Sequence, residues 1–146
     1  MQEFDVPKLE PRVYEIADES SDGKLKSILL LEDDTVFAET LRDAMEIFGY
    51  SVAVVPTGAE GVQQILAKDF DAIVCDMVMP NFPGDMFYKA VERTRPHLCE
   101  RFIFITGHQG DHKVVEFIKG TGRIGLWKPF EMRQLFGAIE SVTSSK

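Results

Sequence analysis

Short apolar runs recur along the chain from residue 27 onward, and longer amphipathic stretches separate them. Each run is three or four residues long, contains β-branched or aromatic residues, and is apolar on both faces. This residue pattern is typical of buried strands in a parallel sheet. The predicted strands are Ile28–Leu31, Val52–Val55, Ala72–Val74, Phe102–Ile105 and Ile124–Trp127.

The stretches between these runs carry apolar residues at helical spacing. The first stretch repeats them every three or four positions and is followed by Gly49, a frequent C-terminal capping residue. The second begins with Thr57 and Glu60 at capping-box spacing, and we expect Gly120 to end the fourth. The pattern thus predicts helices over 35–48, 57–66, 85–93, around 114–118 and around 135–142.

Strands that alternate with helices predict an α/β domain, because parallel neighbours need crossover connections that cover both faces of the sheet. A chain of 146 residues, 45% of them hydrophobic, is sufficient for one packed core. Residues 1–26 differ, since they contain Pro7, Pro11 and a polar run without sustained periodicity. We therefore expect a mobile extension or linker over 1–26, a domain over 27–143 and a tail over 144–146.

Charge and composition narrow the partners that we expect. The formal net charge is -8, and phosphate-rich nucleic acids and anionic membranes repel an acidic surface. No apolar run approaches the roughly 20 residues that span a bilayer, and no secretory signal is visible at the N-terminus. Cys75 and Cys99 form neither a disulfide framework nor a zinc motif. We expect a cytoplasmic protein that neither binds nucleic acid nor inserts into a membrane.

Polar residues follow or end four of the predicted strands. Glu32 and Asp33 come directly after the first strand, and Asp76 ends the third. Thr106 ends the fourth strand and Lys128 ends the fifth. In open α/β sheets, ligands bind outside the carboxyl ends of the strands. We therefore expect three carboxylates, a hydroxyl and an ammonium group to converge at one edge.

This set of groups fits phosphoryl transfer. Three close carboxylates repel one another unless one has a raised pKa or a cation neutralises them. Hard oxygen ligands with room for water suit Mg²⁺. Lys128 would offset the charge of a phosphoryl group and Thr106 would donate a hydrogen bond to it. A carboxylate can itself act as the nucleophile and hold the phosphoryl group.

Four segments in order resemble the receiver domains of bacterial response regulators and hybrid histidine kinases. They are Ile28–Asp34, Asp76–Pro80, Thr106–Gly107 and Lys128–Phe130. The resemblance covers residues 27 to about 142. It implies a flavodoxin-like (βα)5 fold with strand order 2-1-3-4-5. It also implies a signalling phosphoacceptor that catalyses only its own phosphorylation and slow dephosphorylation, and that is not otherwise an enzyme.

The resemblance assigns a role to each acidic residue. Asp76 matches the phosphoacceptor. Asp33 and Asp76 match the carboxylates that ligate Mg²⁺ directly, and Glu32 matches the one that acts through water. The backbone carbonyl of Val78 matches the remaining protein ligand. Asp34 is expected near the N-terminus of the first helix, where the helix dipole favours a negative charge.

The resemblance also implies which residues bind the phosphoryl group and which kind of protein donates it. Thr106 matches the switch hydroxyl, Lys128 matches the family's lysine, and the bond to Pro129 is expected to be cis. A histidine kinase or a histidine phosphotransfer protein would be the donor, and an unknown downstream protein would read the signal. The resemblance leaves the oligomeric state open, with a phosphorylation-linked homodimer among the alternatives.

The chain departs from the family pattern at Gly125, where many members carry an aromatic residue that transmits the signal. Trp127 lies two residues later and therefore on the same side of the strand. Trp127 either substitutes for that aromatic residue or only covers apolar surface, and we favour the second interpretation. Val78 and His108 occupy positions that influence dephosphorylation in the family. Valine cannot hydrogen-bond an attacking water, so we expect slow loss of phosphate, and His108 is more simply a solvated loop residue.

Three other functions are weighed against the receiver. A non-phosphorylated interaction module is favoured by Gly125 but opposed by the intact acceptor, acids, threonine and lysine. An aspartate-nucleophile phosphohydrolase would have a second aspartate where Val78 stands. A nucleotide-binding protein would have a phosphate-cradling glycine loop after the first strand, where this chain has three acidic residues, Glu32 to Asp34.

Overall fold

A computed structural model describes residues 25–79, 82–107 and 111–144. Its strands are β1 (Ser27–Leu31), β2 (Ser51–Val55), β3 (Ala72–Asp76), β4 (Phe102–Thr106) and β5 (Ile124–Trp127). Its α-helices are α1 (Thr35–Ile47), α2 (Gly58–Ala67), α3 (Gly84–Thr94), α4 (His112–Thr121) and α5 (Met132–Ser144). Each predicted strand and helix is present, with differences of a few residues at its ends.

The five strands form one parallel sheet in the order β2-β1-β3-β4-β5. This confirms the expected 2-1-3-4-5 order and the flavodoxin-like α/β class. The strand order reverses between β1 and β3, which are adjacent and in register from Ile28 opposite Ala72 to Leu31 opposite Cys75. The groups that follow β1 and end β3 are therefore brought together at the switch point, where α/β sheets bind ligands.

The sheet separates two layers of core. One face packs against α2, α3 and α4 through residues such as Ile65, Phe87 and Ile118. The other face packs against α1 and α5 through residues such as Leu41 and Leu135. The central strands β1, β3 and β4 are buried on both faces, which explains why their sequences are apolar without alternation. In the part of the chain that the structure describes, no helix is long and apolar enough to cross a membrane.

Local capping fixes where the helices begin. The Asp34 side chain caps α1 by accepting a hydrogen bond from the Phe37 N–H at 3.1 Å, as its position predicted. Thr57 caps α2 by accepting from the Glu60 N–H at 3.2 Å. Gly49, just past α1, adopts a φ of 95°, which favours glycine.

Two local features differ from the sequence prediction. Helix α4 does not end at Gly120 but continues to Thr121, and Gly122 caps it in the left-handed conformation with φ 74°. A 3-10 helix over Pro96–Arg101, which was not predicted, precedes β4 and buries Cys99. Gly122 is the better terminator because a glycine at positive φ avoids the strain that a Cβ atom would cause.

The structure describes only some of the residues at the predicted domain boundaries. Residues 1–24 lie outside the described part of the chain, so the expectation of a mobile extension there is not tested. Lys26, at the end of the predicted extension, already joins the sheet, because its carbonyl accepts a hydrogen bond of 2.9 Å from the Ser51 N–H. Ser144, assigned to the tail, is the last residue of α5.

Candidate functional site

The structure brings three carboxylates together at the carboxyl edge of the sheet. Glu32 follows β1, Asp33 is the next residue, and Asp76 is the last residue of β3. One oxygen from each of these carboxylates lies within 4.8 Å of the other two. Glu32 is 2% exposed and Asp76 is 4% exposed, whereas Asp33 is exposed to solvent. The sequence placed these residues at strand ends, and the strand order makes them neighbours.

Glu32 is held by backbone contacts on both sides. Its N–H donates to the Val55 carbonyl at 3.0 Å, and its Oε2 accepts a hydrogen bond of 3.0 Å from the Asp34 N–H. Burial, and secondarily the nearby Asp76 carboxylate, raise the pKa of Glu32 to about 7. The Asp34 N–H and the Lys128 ammonium oppose this rise in pKa. Glu32 is therefore a carboxyl group that titrates near neutral pH while no cation is bound.

Asp76 is positioned by the loop that follows it. Its Oδ1 accepts a hydrogen bond of 3.0 Å from the N–H of Val78, a residue that is 43% exposed. The Met77 N–H donates to the Ile105 carbonyl at 3.0 Å, and the Gly84 N–H donates to the Met77 carbonyl at 3.1 Å. Helix α3 therefore begins directly against the backbone of Asp76 and Met77.

Gly84 is a site residue that the sequence analysis missed. A Cβ atom at this position would lie 2.7 Å from the Asp76 carbonyl oxygen and 2.9 Å from the Met77 Cα. Only glycine permits this close approach of α3 to the backbone of Asp76 and Met77. The sequence offered only a weak signal, because Gly84 directly precedes the predicted helix 85–93 and glycine is common at the capping position of any helix.

Lys128 supplies the positive charge of the site. Its Nζ lies 3.5 Å from Glu32 Oε1 and 3.5 Å from Asp76 Oδ2. Its backbone N–H donates to the Thr106 carbonyl at 2.8 Å, which ties the end of β5 to the end of β4. The Lys128–Pro129 peptide bond is cis, as the resemblance implied.

Thr106 lies at the same edge and is fully buried as the last residue of β4. It stands one position beyond Ile105, which is in register with Asp76. His108, which was weighed as a modulator, and Pro80 of the second motif lie outside the described residues. The residues predicted at the strand ends lie at one edge of the sheet, and they are Glu32, Asp33, Asp76, Thr106 and Lys128. The prediction for His108 stays untested.

The structure also describes the neighbourhood of Gly125. A Cβ atom there would lie 3.0 Å from Ile118 Cγ2, so α4 packs directly against the position where the family often has an aromatic ring. Trp127 is half-buried and packs against the core cluster that includes Ile118 and Phe104. This packing accounts for Trp127 as a residue that covers apolar surface.

The donor set fits a hard divalent cation. Its carboxylate oxygens are the ligands that Mg²⁺ prefers. Within this cluster of Glu32, Asp33, Asp76 and Lys128, three carboxylates face one ammonium group. Burial is the main cause of the raised pKa of Glu32, and a second positive charge would offset both the burial and the repulsion from Asp76.

Comparison with known families places the chain. Residues 28–140 match the response regulator receiver domain family, and the chain belongs to this family. It is a receiver domain of two-component signalling proteins, whose general function is to accept a phosphoryl group. Receiver domains interact with histidine kinases or phosphotransfer proteins. The alternative of a non-phosphorylated interaction module is not favoured by these matches.

Individual relatives agree with this assignment. The chain is 31% identical over 121 residues to the transcriptional regulatory protein RprY of Bacteroides fragilis, covering 83% of this chain and 50% of RprY. It is 30% identical over 118 residues to the response regulator receiver protein CpdR of Brucella abortus, covering 81% and 97% of the two chains. The chain thus spans about half the length of RprY and nearly all of CpdR.

A solved structure has the same fold. The CheY-like response regulator receiver domain protein from Methanospirillum hungatei superposes with a TM-score of 0.74 at 26% identity. The alignment covers 81% of this chain and 93% of that chain. The match supports the strand order and the layered arrangement of helices described above.

Proposed function

We propose that Asp76 is the residue that accepts the phosphoryl group in this receiver domain. The observation that carries the proposal is the convergence of Asp76 with Glu32 and Asp33 within 4.8 Å, with Lys128 Nζ at 3.5 Å from Asp76. Asp76 ends a strand that is buried along its whole length, and its side chain faces both a negative cluster and an ammonium group. A buried aspartate in such surroundings is a candidate functional residue.

The transfer itself requires one bond to form and one to break. An oxygen of the Asp76 carboxylate attacks the phosphorus of a phosphohistidine donor, and the phosphorus–nitrogen bond breaks as the new phosphorus–oxygen bond forms. The electron pair of the broken bond returns to the histidine nitrogen. Lys128 balances charge on the phosphoryl oxygens, and the Thr106 hydroxyl donates a hydrogen bond to one of them.

Mg²⁺ is the cation that we assign to the acidic cluster. Asp33 and Asp76 would bind it directly, Glu32 through a water molecule, and Val78 through its backbone carbonyl. When bound, it neutralises charge on the carboxylates and on the incoming phosphoryl group. The choice of Mg²⁺ over other hard divalent cations rests on the family, because an all-oxygen donor set suits Mg²⁺, Ca²⁺ and Mn²⁺ alike.

We further propose the signalling context. The donor is a histidine kinase or a histidine phosphotransfer protein, and phosphorylation shifts the domain toward a state that a downstream protein or a second copy recognises. With a net charge of -8, direct binding to nucleic acid or anionic membrane is not part of the proposal. A cytoplasmic location and a domain over about 27–143 complete it, with Lys26 and Ser144 added to the domain because they belong to the sheet and to α5.

The tryptophan that precedes Lys128 provides a direct test. Trp127 is the only tryptophan in the chain, so its fluorescence should change on addition of Mg²⁺ and again on addition of beryllofluoride, a phosphoryl mimic. The beryllofluoride response should vanish in Asp76→Ala and persist in Asp43→Ala, a matched change at an exposed aspartate of α1. A wild-type protein without a beryllofluoride response would refute the proposal.

A further inference from the structure

The Lys128 ammonium group has a third neighbour besides the two carboxylates. Its Nζ lies over the ring of Phe37, 4.7 Å from the ring centroid. This distance is within the roughly 6 Å over which an aromatic face attracts a cation. The two carboxylate contacts, at 3.5 Å each, are longer than the roughly 2.7 to 2.9 Å of a tight charge-assisted hydrogen bond. The ammonium group therefore contacts the ring and both carboxylates, and it forms a tight hydrogen bond with neither carboxylate.

Phe37 is itself fixed in place. Its backbone N–H donates to the Asp34 side chain at the start of α1, and its half-buried ring packs against the core beneath α1 and α5. The ring also meets Phe130 edge-to-face, with centroids 6.3 Å apart and planes at 67°. Phe130 lies two residues after Lys128, so the ring contacts both the ammonium group and the segment that carries it.

We propose that Phe37 is a positioning residue for phosphoryl transfer: its ring face holds the Lys128 ammonium at the rim of the acidic cluster. This inference rests on the proposed phosphorylation of Asp76. A lysine side chain is a flexible stem that ends in a point charge, so its position depends on the groups that attract the charge. The ring attracts the cation without a competing negative charge, so the ammonium stays free to pair with phosphoryl oxygens.

Loss of the ring has a defined consequence. Without it, the ammonium closes onto Glu32 and Asp76, and this tighter ion pair must be broken before a phosphoryl group can be paired. A cation–π contact at a partly exposed site corresponds to about two-fold to five-fold in an equilibrium constant. The Lys128 side chain is 30% exposed, which places it in this range.

The test compares two substitutions by their affinity for beryllofluoride in saturating Mg²⁺, read from Trp127 fluorescence. Phe37→Leu keeps an apolar side chain but removes the aromatic face, and it should weaken the affinity about two-fold to five-fold. Phe37→Tyr restores the face and should restore the affinity. If Phe37→Leu does not fold, Phe37→Met replaces it in the same comparison.

A spectroscopic measurement tests the contact itself. The Lys128 ε-methylene protons should resonate upfield of ordinary lysine values in the wild type and in Phe37→Tyr, because they lie near an aromatic face. Ordinary shifts in the wild type would overturn the inference.

Phe136→Leu serves as the matched control. Phe136 belongs to the same core layer but stacks on Phe48 at 4.0 Å, at the other end of α1. This change should lower the melting temperature and leave beryllofluoride affinity unchanged. The role of Phe37 is overturned if Phe37→Leu binds beryllofluoride as tightly as the wild type or more tightly. It is also overturned if Phe136→Leu loses as much affinity as Phe37→Leu. Neither result would affect the proposed phosphorylation of Asp76. A wild type that does not respond to beryllofluoride would instead refute the proposed function.

Discussion

Lys128 Nζ lies 3.5 Å from Asp76 Oδ2, although 52 residues separate the two in the sequence. The sheet creates this proximity, because β4 lies between β3 and β5 and all three strands end at the same edge. Two backbone hydrogen bonds hold that edge together, from Met77 to Ile105 at 3.0 Å and from Lys128 to Thr106 at 2.8 Å. The charges of the site are thus set by strand register.

Removal of the ammonium should separate cation binding from phosphoryl uptake. Lys128→Met removes a positive charge beside the carboxylates, so Mg²⁺ affinity should rise several-fold, a change on the order of 1 kcal/mol. Phosphorylation by acetyl phosphate should slow by about 100-fold, because the charge on the phosphoryl group is no longer balanced. Lys119→Met, at an exposed lysine of α4, is the control and should change neither quantity. Weaker Mg²⁺ binding by Lys128→Met would contradict this account of the charges.

The raised pKa of Glu32 predicts how stability depends on pH in Mg²⁺-free buffer. Below its ordinary pKa of 4.5, Glu32 is protonated in both the folded and the unfolded state. Between pH 4.5 and about 7, the unfolded state loses the proton while the folded state keeps it. The free energy of unfolding should therefore fall as pH rises through this window, by at most about 3 kcal/mol.

Urea denaturation at a series of pH values measures this effect. Glu32→Gln cannot ionise and should show a flatter profile between pH 4.5 and 7 than the wild type. Glu116→Gln, at an exposed position of α4, should retain the wild-type slope. A wild-type profile that rises with pH across this window, or one that Glu32→Gln leaves unchanged, would argue against a neutral Glu32.

The close approach at Gly84 predicts a large effect of one methyl group. In Gly84→Ala the new Cβ would overlap the Asp76 carbonyl, so α3 must shift, at a cost of about 1 to 3 kcal/mol in stability. Gly137→Ala in α5 has no atom within 4 Å of the new Cβ and should gain up to about 1 kcal/mol from helix propensity. Thermal or urea unfolding of the two variants checks the difference. Equal stabilities would show that the backbone of Asp76 and Met77 tolerates a side chain there.

The apolar residue two positions after Asp76 predicts a long-lived phosphoryl group. Val78 is exposed beside Asp76 but cannot orient an attacking water by hydrogen bonding. Phosphate on Asp76 should persist for minutes or longer, and Val78→Asn should shorten its lifetime several-fold. Decay of the phosphorylated protein, followed by intact mass after removal of the donor, tests both statements. Loss of phosphate within seconds from the wild type would disprove the first.

The fold could be predicted from the sequence because strands that are buried on both faces consist almost entirely of apolar residues. Strand β3 is buried at every position, and its residues are apolar up to Asp76. A single polar residue at the end of such a strand is conspicuous, so the candidate site could be predicted along with the sheet. The end of α4 was harder, since Gly120 and Gly122 are equally good terminators by residue type and only Gly122 has the left-handed conformation.

Contacts between distant segments explain what the sequence could not predict. Phe37 lies in the first amphipathic stretch, where helical spacing predicted a buried face, and its ring does pack against the core. Its position under the Lys128 ammonium depends on how α1 and the segment after β5 approach each other across the sheet. The role of Gly84 similarly depends on a backbone distance that no local pattern encodes.

Intact mass spectrometry with acetyl phosphate and Mg²⁺ tests the central claim most directly. The wild type should gain the mass of one phosphoryl group, Asp43→Asn should gain it equally, and Asp76→Asn should gain none. Removal of Mg²⁺ by a chelator should suppress the adduct in the wild type. A wild type that never forms the adduct, or an Asp76→Asn variant that still forms it, would contradict the assignment of Asp76 as the acceptor.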